Sequence, residues 1–221
     1  MEKAPFDIDI AIRRIEEAVR PYPKAAMFDL AERGYSTPFE QLIACLLSIR
    51  TRDETSLRAS IRLFDLARTP DALINTPPGE IEQRIADVTF AGRKAYQIGD
   101  LARIVRDDFG GELPCDDAVI QSLPGIGPKC AHLVLGVACG QAEISVDIHV
   151  HRVTNRWGYI HATTPEKSML ALQAILPERY HIEINRLLVP FGKHVCTGTR
   201  PRCSTCPVLD MCQQVGVTNP R

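Results

Sequence analysis

The stretch Leu42-Ile43-Ala44-Cys45-Leu46-Leu47 is apolar on every side, and a helix with no polar face has to be enclosed by others. Thr37-Pro38-Phe39-Glu40 runs directly into it. Threonine as cap, proline at the first helical position and glutamate three residues after the cap make a capping box, which starts a helix there. A central buried helix implies a bundle around it, and the flanking segments supply the partners. Ile8, Ile12, Ile15 and Val19 recur at helical spacing, with Arg13, Arg14, Glu16 and Glu17 on the other face. Helical periodicity returns near residues 54–66, 79–87, 94–108, 116–122, 128–138, 148–157, 165–175 and 181–190. Strand-like alternation is essentially absent, so the fold class is all-α. No repeat period or low-complexity tract interrupts it, and the tail from Gln213 to Arg221 is expected to fray.

Bulk properties exclude several classes. The 221 residues are 45 % hydrophobic and 24 % charged, an ordinary globular balance. No apolar run approaches the length needed to cross a bilayer, and Met1-Glu2-Lys3-Ala4-Pro5 lacks the basic-then-apolar pattern of a signal peptide. A cytoplasmic protein with no membrane partner is expected. A net charge of −1 does not advertise nucleic acid, so any such partner has to be argued from local features. From Arg186 to Cys206 the chain carries Arg186, Lys193, Arg200 and Arg202 and no acidic residue. Taken alone, that run reads as a solvated basic face.

The eight cysteines fall into two groups. In a reducing compartment they are expected as ligands or core residues rather than disulfides. Cys45, Cys115, Cys130 and Cys139 are scattered through apolar or turn surroundings. Cys196, Cys203, Cys206 and Cys212 are packed together in the order C-x6-C-x2-C-x5-C. Four thiolates in one compact loop saturate either a tetrahedral zinc or a cubane iron–sulfur cluster. Between the first two lies the basic segment Thr197-Gly198-Thr199-Arg200-Pro201-Arg202. A metal that pinned its ends would hold Arg200 and Arg202 ready for backbone phosphates.

Leu123-Pro124-Gly125-Ile126-Gly127-Pro128-Lys129 lies between two short helical runs. Glycines at 125 and 127 permit backbone conformations and close approach that a side chain would obstruct. Pro128 then opens the next helix. The product is a tight helix–turn–helix that offers backbone N–H groups and a helix N-terminus to a phosphate, or serves only as a connector. Lys129 stands in the first helical turn, where the helix dipole disfavours a second positive charge. A neutral amine is what Schiff-base chemistry requires; a phosphate contact is the other role open to it. Further on, Asp147 precedes the helical run Ile148-His149-Val150-His151-Arg152. Aspartate there is an excellent N-cap, and its carboxylate can also stabilise positive charge on a sugar or help deprotonate an amine. His149 and His151 read as surface or hydrogen-bonded residues.

In order and spacing, these features resemble the endonuclease III family of helix–hairpin–helix DNA glycosylases. The resemblance runs from Ser36-Thr37-Pro38-Phe39-Glu40 to Cys212 and rests mainly on Leu123 to Lys129, Val146-Asp147-Ile148-His149 and the four-cysteine spacing. It implies two helical domains with a DNA-binding cleft between them: a barrel domain over 31–141 with the hairpin, and a discontinuous domain of 1–30 plus 142–221. It further implies that the four cysteines hold a [4Fe–4S] cluster. Lys129 would be the nucleophile that attacks C1′ of a damaged nucleoside and Asp147 the acid assisting it. The substrate would be double-stranded DNA with oxidised pyrimidines or abasic sites, bound by a monomer, nucleoid-associated if the source is bacterial.

The departures concern substrate choice. Ile148 stands where the family usually has threonine. Arg50 stands where members generally place the glutamine that fills the vacated helix, and Phe90 occupies a wedge position, although core packing is the simpler role for Phe90. Within the class, a monofunctional thymine or uracil mismatch glycosylase is the alternative. An adenine-mismatch enzyme would carry a catalytic glutamate where Cys45 sits. A non-catalytic DNA-binding module and an electron carrier are the readings from outside the class.

Overall fold

The computed structural model describes residues 3–221. Among the described residues there is no strand; twelve α-helices and two short 3-10 turns make up the regular structure. In chain order the helices are α1 (Ile8–Val19), α2 (Ala26–Glu32), α3 (Pro38–Ser48), α4 (Asp53–Leu66), α5 (Pro70–Ile74), α6 (Pro78–Arg84), α7 (Ala91–Phe109), α8 (Asp117–Ser122), α9 (Pro128–Cys139), α10 (Ile148–Trp157), α11 (Pro165–Ile175) and α12 (Glu183–His194). The chain separates into two compact units, one formed by Ala26–Gln141 and the other by Met1–Ala25 with Ala142–Arg221. The first boundary falls at Ala25 rather than at residue 30. Helix α2, which periodicity had not revealed, packs on α3, α4 and α9 and so belongs with them.

In the unit Ala26–Gln141, α3 is the central helix. Its capping box forms as the sequence predicts: Thr37 Oγ1 accepts from the Glu40 amide, and Glu40 Oε2 accepts from the Thr37 amide. Every residue from Phe39 to Leu47 is buried. The two polar ones are paired: Glu40 binds Arg68 at 2.6 Å, and Gln41 donates to the Tyr35 carbonyl at 2.6 Å. Enclosure comes from α4, α7, α9 and α2. Long α7 buries Ile98, Leu101, Ala102 and Val105 along one stripe, and Lys94 lies on the same stripe.

The other unit packs α1 and α10 on α12, with α11 against α10. Its core contains Ile15, Val150, Val153, Trp157, Leu188 and Phe191; burial of each such side chain contributes about 1.5 to 3 kcal/mol. The C-terminal tail, expected to fray, is instead tied down. Gln213 and Val215 donate to the carbonyls of Trp157 and Arg156, and the Arg221 amide reaches the Pro201 carbonyl at 2.9 Å. These partners lie far away in sequence, so local composition gave no sign of them.

Candidate active site and cysteine loop

Buried side chains at either end of the turn shape the hairpin. Leu123 and Ile126 point into the core, while Pro124, Gly125, Gly127, Pro128 and Lys129 face outward. The Ile126 amide closes the turn on the Leu123 carbonyl at 3.1 Å. Only Gly125 needs glycine's conformational freedom, with φ of +77°. Gly127 is extended, with φ of −111°, and a β-carbon there would meet nothing within 4 Å. Helix α9 then starts with Pro128 at its first position and no side-chain cap. Its first turn closes on the Gly127 carbonyl, which accepts from the Cys130 and Ala131 amides at 3.0 Å each, and Lys129 is exposed beside it.

Cys130 follows Lys129 and is buried. The packing of α3 on α9 brings its sulfur against that of Cys45, with Cα atoms 6.0 Å apart. Cys115, in the loop before α8, meets Cys139 at the end of α9 in the same way, with Cα atoms 5.9 Å apart. The four cysteines that looked scattered are therefore two pairs within disulfide reach. Residues distant in sequence become neighbours through helix packing, which spacing does not encode.

Arg50 and Phe90 also come together. The Arg50 guanidinium lies 6.0 Å from the centre of the Phe90 ring. Both residues are left-handed, with φ of 56° and 63°, a conformation that costs a non-glycine residue about 1 to 2 kcal/mol. Phe90 is 57 % exposed, so it does not have the core role that was the simpler expectation. A left-handed residue at the start of α7 turns its ring away from the helix bundle. The turn is clamped by Thr89, whose Oγ1 donates to the Arg50 carbonyl at 2.8 Å and whose amide donates to Thr51 Oγ1 at 3.2 Å.

Asp147 belongs to the other unit and caps α10. The amides of His149 and Val150 both donate to its Oδ1, each at 2.9 Å, and Oδ2 takes no part in the cap. Ile148 beside it is 58 % exposed. His149 is half-buried, and burial lowers its pKa in spite of the nearby Asp147 carboxylate; its Nδ1 lies 3.1 Å from Arg152 Nη2. His151 Nδ1 meets Ser168 Oγ at 2.6 Å. Both histidines are hydrogen-bonded residues, as their sequence setting suggests.

Helix α10 also grips the cysteine loop. Arg152 Nε donates to the Cys196 carbonyl at 3.2 Å, and Arg156 donates to the carbonyls of Thr197 and Gly198, each at 2.6 Å. His149, Arg152 and Arg156 recur at helical spacing beside the buried Val150, Val153 and Trp157, a polar stripe that could have flagged this role from sequence. Arg200 and Arg202 are exposed beyond the gripped residues. Arg186, by contrast, is paired with Glu16 and Glu183 and is not part of a free basic face.

Cys196, Cys203, Cys206 and Cys212 are free thiols that line one pocket, otherwise walled largely by apolar side chains such as Trp157, Phe191, Val195 and Leu209. Among the described residues no three His, Cys, Asp or Glu side chains form a ready-made site for a single metal ion. Burial pushes the Cys206 thiol up to about 12 and raises that of Cys212. Thiols in such a setting become thiolates only when a bound cation draws the proton off. Four sulfurs around one largely apolar pocket suit a soft, thiolate-bound group.

Comparison with known proteins gives these features a family. Residues 43–178 match the HhH-GPD superfamily base excision DNA repair protein model. Endonuclease III of Thermotoga maritima is 37 % identical over 176 residues, covering 80 % of this chain and 83 % of that protein. The chain belongs to the endonuclease III family. Among solved structures, a trapped endonuclease III–DNA covalent intermediate aligns with a TM-score of 0.74 at 34 % identity, over 80 % of this chain and 84 % of that one. A non-covalent endonuclease III–DNA complex aligns with a TM-score of 0.75 at 30 % identity, over 92 % and 95 %. Against this endonuclease III background, two residues of α7 stand out that the sequence reading missed. Lys94 and Gln97 point at the Arg50 turn and at the hairpin respectively. The signal for Lys94 was a charge placed on the buried stripe of an amphipathic helix.

Proposed function

We propose that Lys129 is the nucleophile and Asp147 its assisting acid in base excision on double-stranded DNA that carries oxidised pyrimidines or abasic sites. The chain is a DNA glycosylase and abasic-site lyase of base excision repair. The observation that carries the site assignment is an exposed lysine in the first turn of an uncapped helix, directly after the glycine hairpin.

The Lys129 amine attacks C1′ of the damaged nucleoside. The glycosidic C–N bond breaks, and the base leaves with the electron pair and takes up a proton. The attacking amine loses a proton, a step the Asp147 carboxylate assists, and its lone pair then breaks the C1′–O4′ bond, with O4′ taking up a proton, to leave a protonated imine at Nζ. Loss of the C2′ proton and departure of the 3′ phosphate break the strand, and water then releases the lysine. Extrusion of the nucleotide costs a few kcal/mol, which damage lowers. The outward amides of the Gly125–Gly127 turn and the side chains of Arg200 and Arg202 bind backbone phosphates. Arg50 and Phe90 face the lesion. Cys196, Cys203, Cys206 and Cys212 would hold a [4Fe–4S] cluster, which when bound cross-links the loop and adds folding energy.

Borohydride trapping on duplexes with oxidised pyrimidines, mismatched thymine or uracil, and a pre-formed abasic site tests this. A trapped adduct and a cut strand on oxidised-pyrimidine and abasic duplexes are expected. Base removal with neither adduct nor cut would mark a monofunctional enzyme, and binding without any reaction a non-catalytic module. Aerobic and anaerobic preparations should contain iron and sulfide; stoichiometric zinc without iron would contradict the cluster.

A further inference from the structure

Lys94 is 4 % exposed, and its ammonium ends at the C-terminus of α3. Nζ donates to the Leu47 carbonyl at 3.0 Å and to the Ile49 carbonyl at 2.8 Å. The last carbonyls of a helix have no partner within it, and a cation there satisfies them and complements the dipole. The Ile49 carbonyl is also the peptide group that leads into left-handed Arg50. The backbone amide of the same lysine donates to the Phe90 carbonyl at 3.0 Å. One residue thus holds the peptide before Arg50 with its side chain and the peptide of Phe90 with its backbone, while Thr89 ties the two segments to each other. A charged side chain with so little contact with water is costly to keep. The core stripe of α7 would accept an apolar residue at this position, so packing alone does not explain a lysine.

We propose that Lys94 is a positioning residue that sets the Arg50–Phe90 pair in the geometry in which it meets the lesion. The inference rests on the reading that this pair faces the damaged base. Lys94 itself touches no substrate and acts through the Ile49–Arg50 peptide.

The test compares Lys94→Met, Arg50→Ala and their double variant in single-turnover base excision and in cleavage of pre-formed abasic sites. A 2-aminopurine placed beside the lesion reports unstacking. Lys94→Met should lose about tenfold in base excision, several times its loss at abasic sites, and should lower the 2-aminopurine signal as Arg50→Ala does. The double variant should be no slower than Arg50→Ala alone, because both changes remove one interaction. Multiplicative losses, or equal loss on both substrates in a folded variant, would overturn the inference. Lys94→Gln, which keeps an N–H donor, should recover part of the excision rate and carries the same comparison if the methionine variant folds poorly. If Arg50→Ala and Phe90→Ala leave excision and 2-aminopurine fluorescence unchanged, the lesion-facing reading fails and takes this inference with it.

Discussion

The side-chain amide nitrogen of Gln97 occupies the place that a β-carbon on Gly125 would need, and it donates to the Pro124 carbonyl at 2.8 Å. The hairpin is thereby locked to α7. Gly125→Ala would meet Gln97 and would also hold alanine at φ of +77°, so a stability loss of about 1 to 2 kcal/mol or more is expected. Gly127→Ala meets neither problem. It should unfold at the wild-type temperature yet bind DNA more weakly, because its methyl group stands between the turn's amides and a phosphate. Thermal unfolding with binding titrations separates the two variants. Wild-type affinity in Gly127→Ala would mean that no phosphate approaches there.

Exposed Arg200 and Arg202 extend from a loop whose first residues are gripped by Arg152 and Arg156. Replacement of both by glutamine should weaken binding to damaged and undamaged duplexes alike and lower the slope of log affinity against log salt by roughly 1 to 2. An unchanged slope would show that this loop does not meet the phosphates.

The tail closes over the cysteine pocket, which Gln214 and Val217 help to line. The Gln214 amide also donates to the Cys212 sulfur at 3.4 Å. With the proposed [4Fe–4S] cluster in place, removal of residues 215–221 should speed the loss of iron to a chelator, followed by the fading of visible absorbance, before global stability changes appreciably. Equal release rates in the full and shortened chains would show that the tail does not shield the group.

Burial lowers Lys94 to about 8 from an ordinary 10.5. Between those values the unfolded chain binds more protons than the folded one, so stability rises with pH across this window. Lys94→Met lacks that contribution. Denaturant unfolding of both proteins at several pH values should show the wild type gaining on the variant from pH 8 upward; parallel curves would contradict this.

Local chemistry made much of the fold legible. Capping at Thr37 and Asp147 and the apolar stripes of α1 and α7 are written within a few turns of chain. Helices α2 and α5 left no readable period, and the order of the tail depends on partners at Trp157 and Pro201. For the candidate site, the hairpin, Lys129, Asp147 and the cysteine spacing are contiguous motifs and could be read directly. The Cys45–Cys130 neighbourhood, the exposure of Phe90 and the work of Lys94 and Gln97 arise from helix packing and from two left-handed residues, which no propensity favours.

The assignment of Lys129 is tested most directly by borohydride trapping of Lys129→Gln on abasic-site DNA. Glutamine keeps much of the side chain's shape but cannot form an imine. The variant should bind the duplex, yield no trapped adduct and leave the strand uncut, while Asp147→Asn, which still caps α10, should excise bases slowly and keep some abasic-site cleavage. A covalent adduct trapped with Lys129→Gln would place the reacting amine elsewhere and contradict the account.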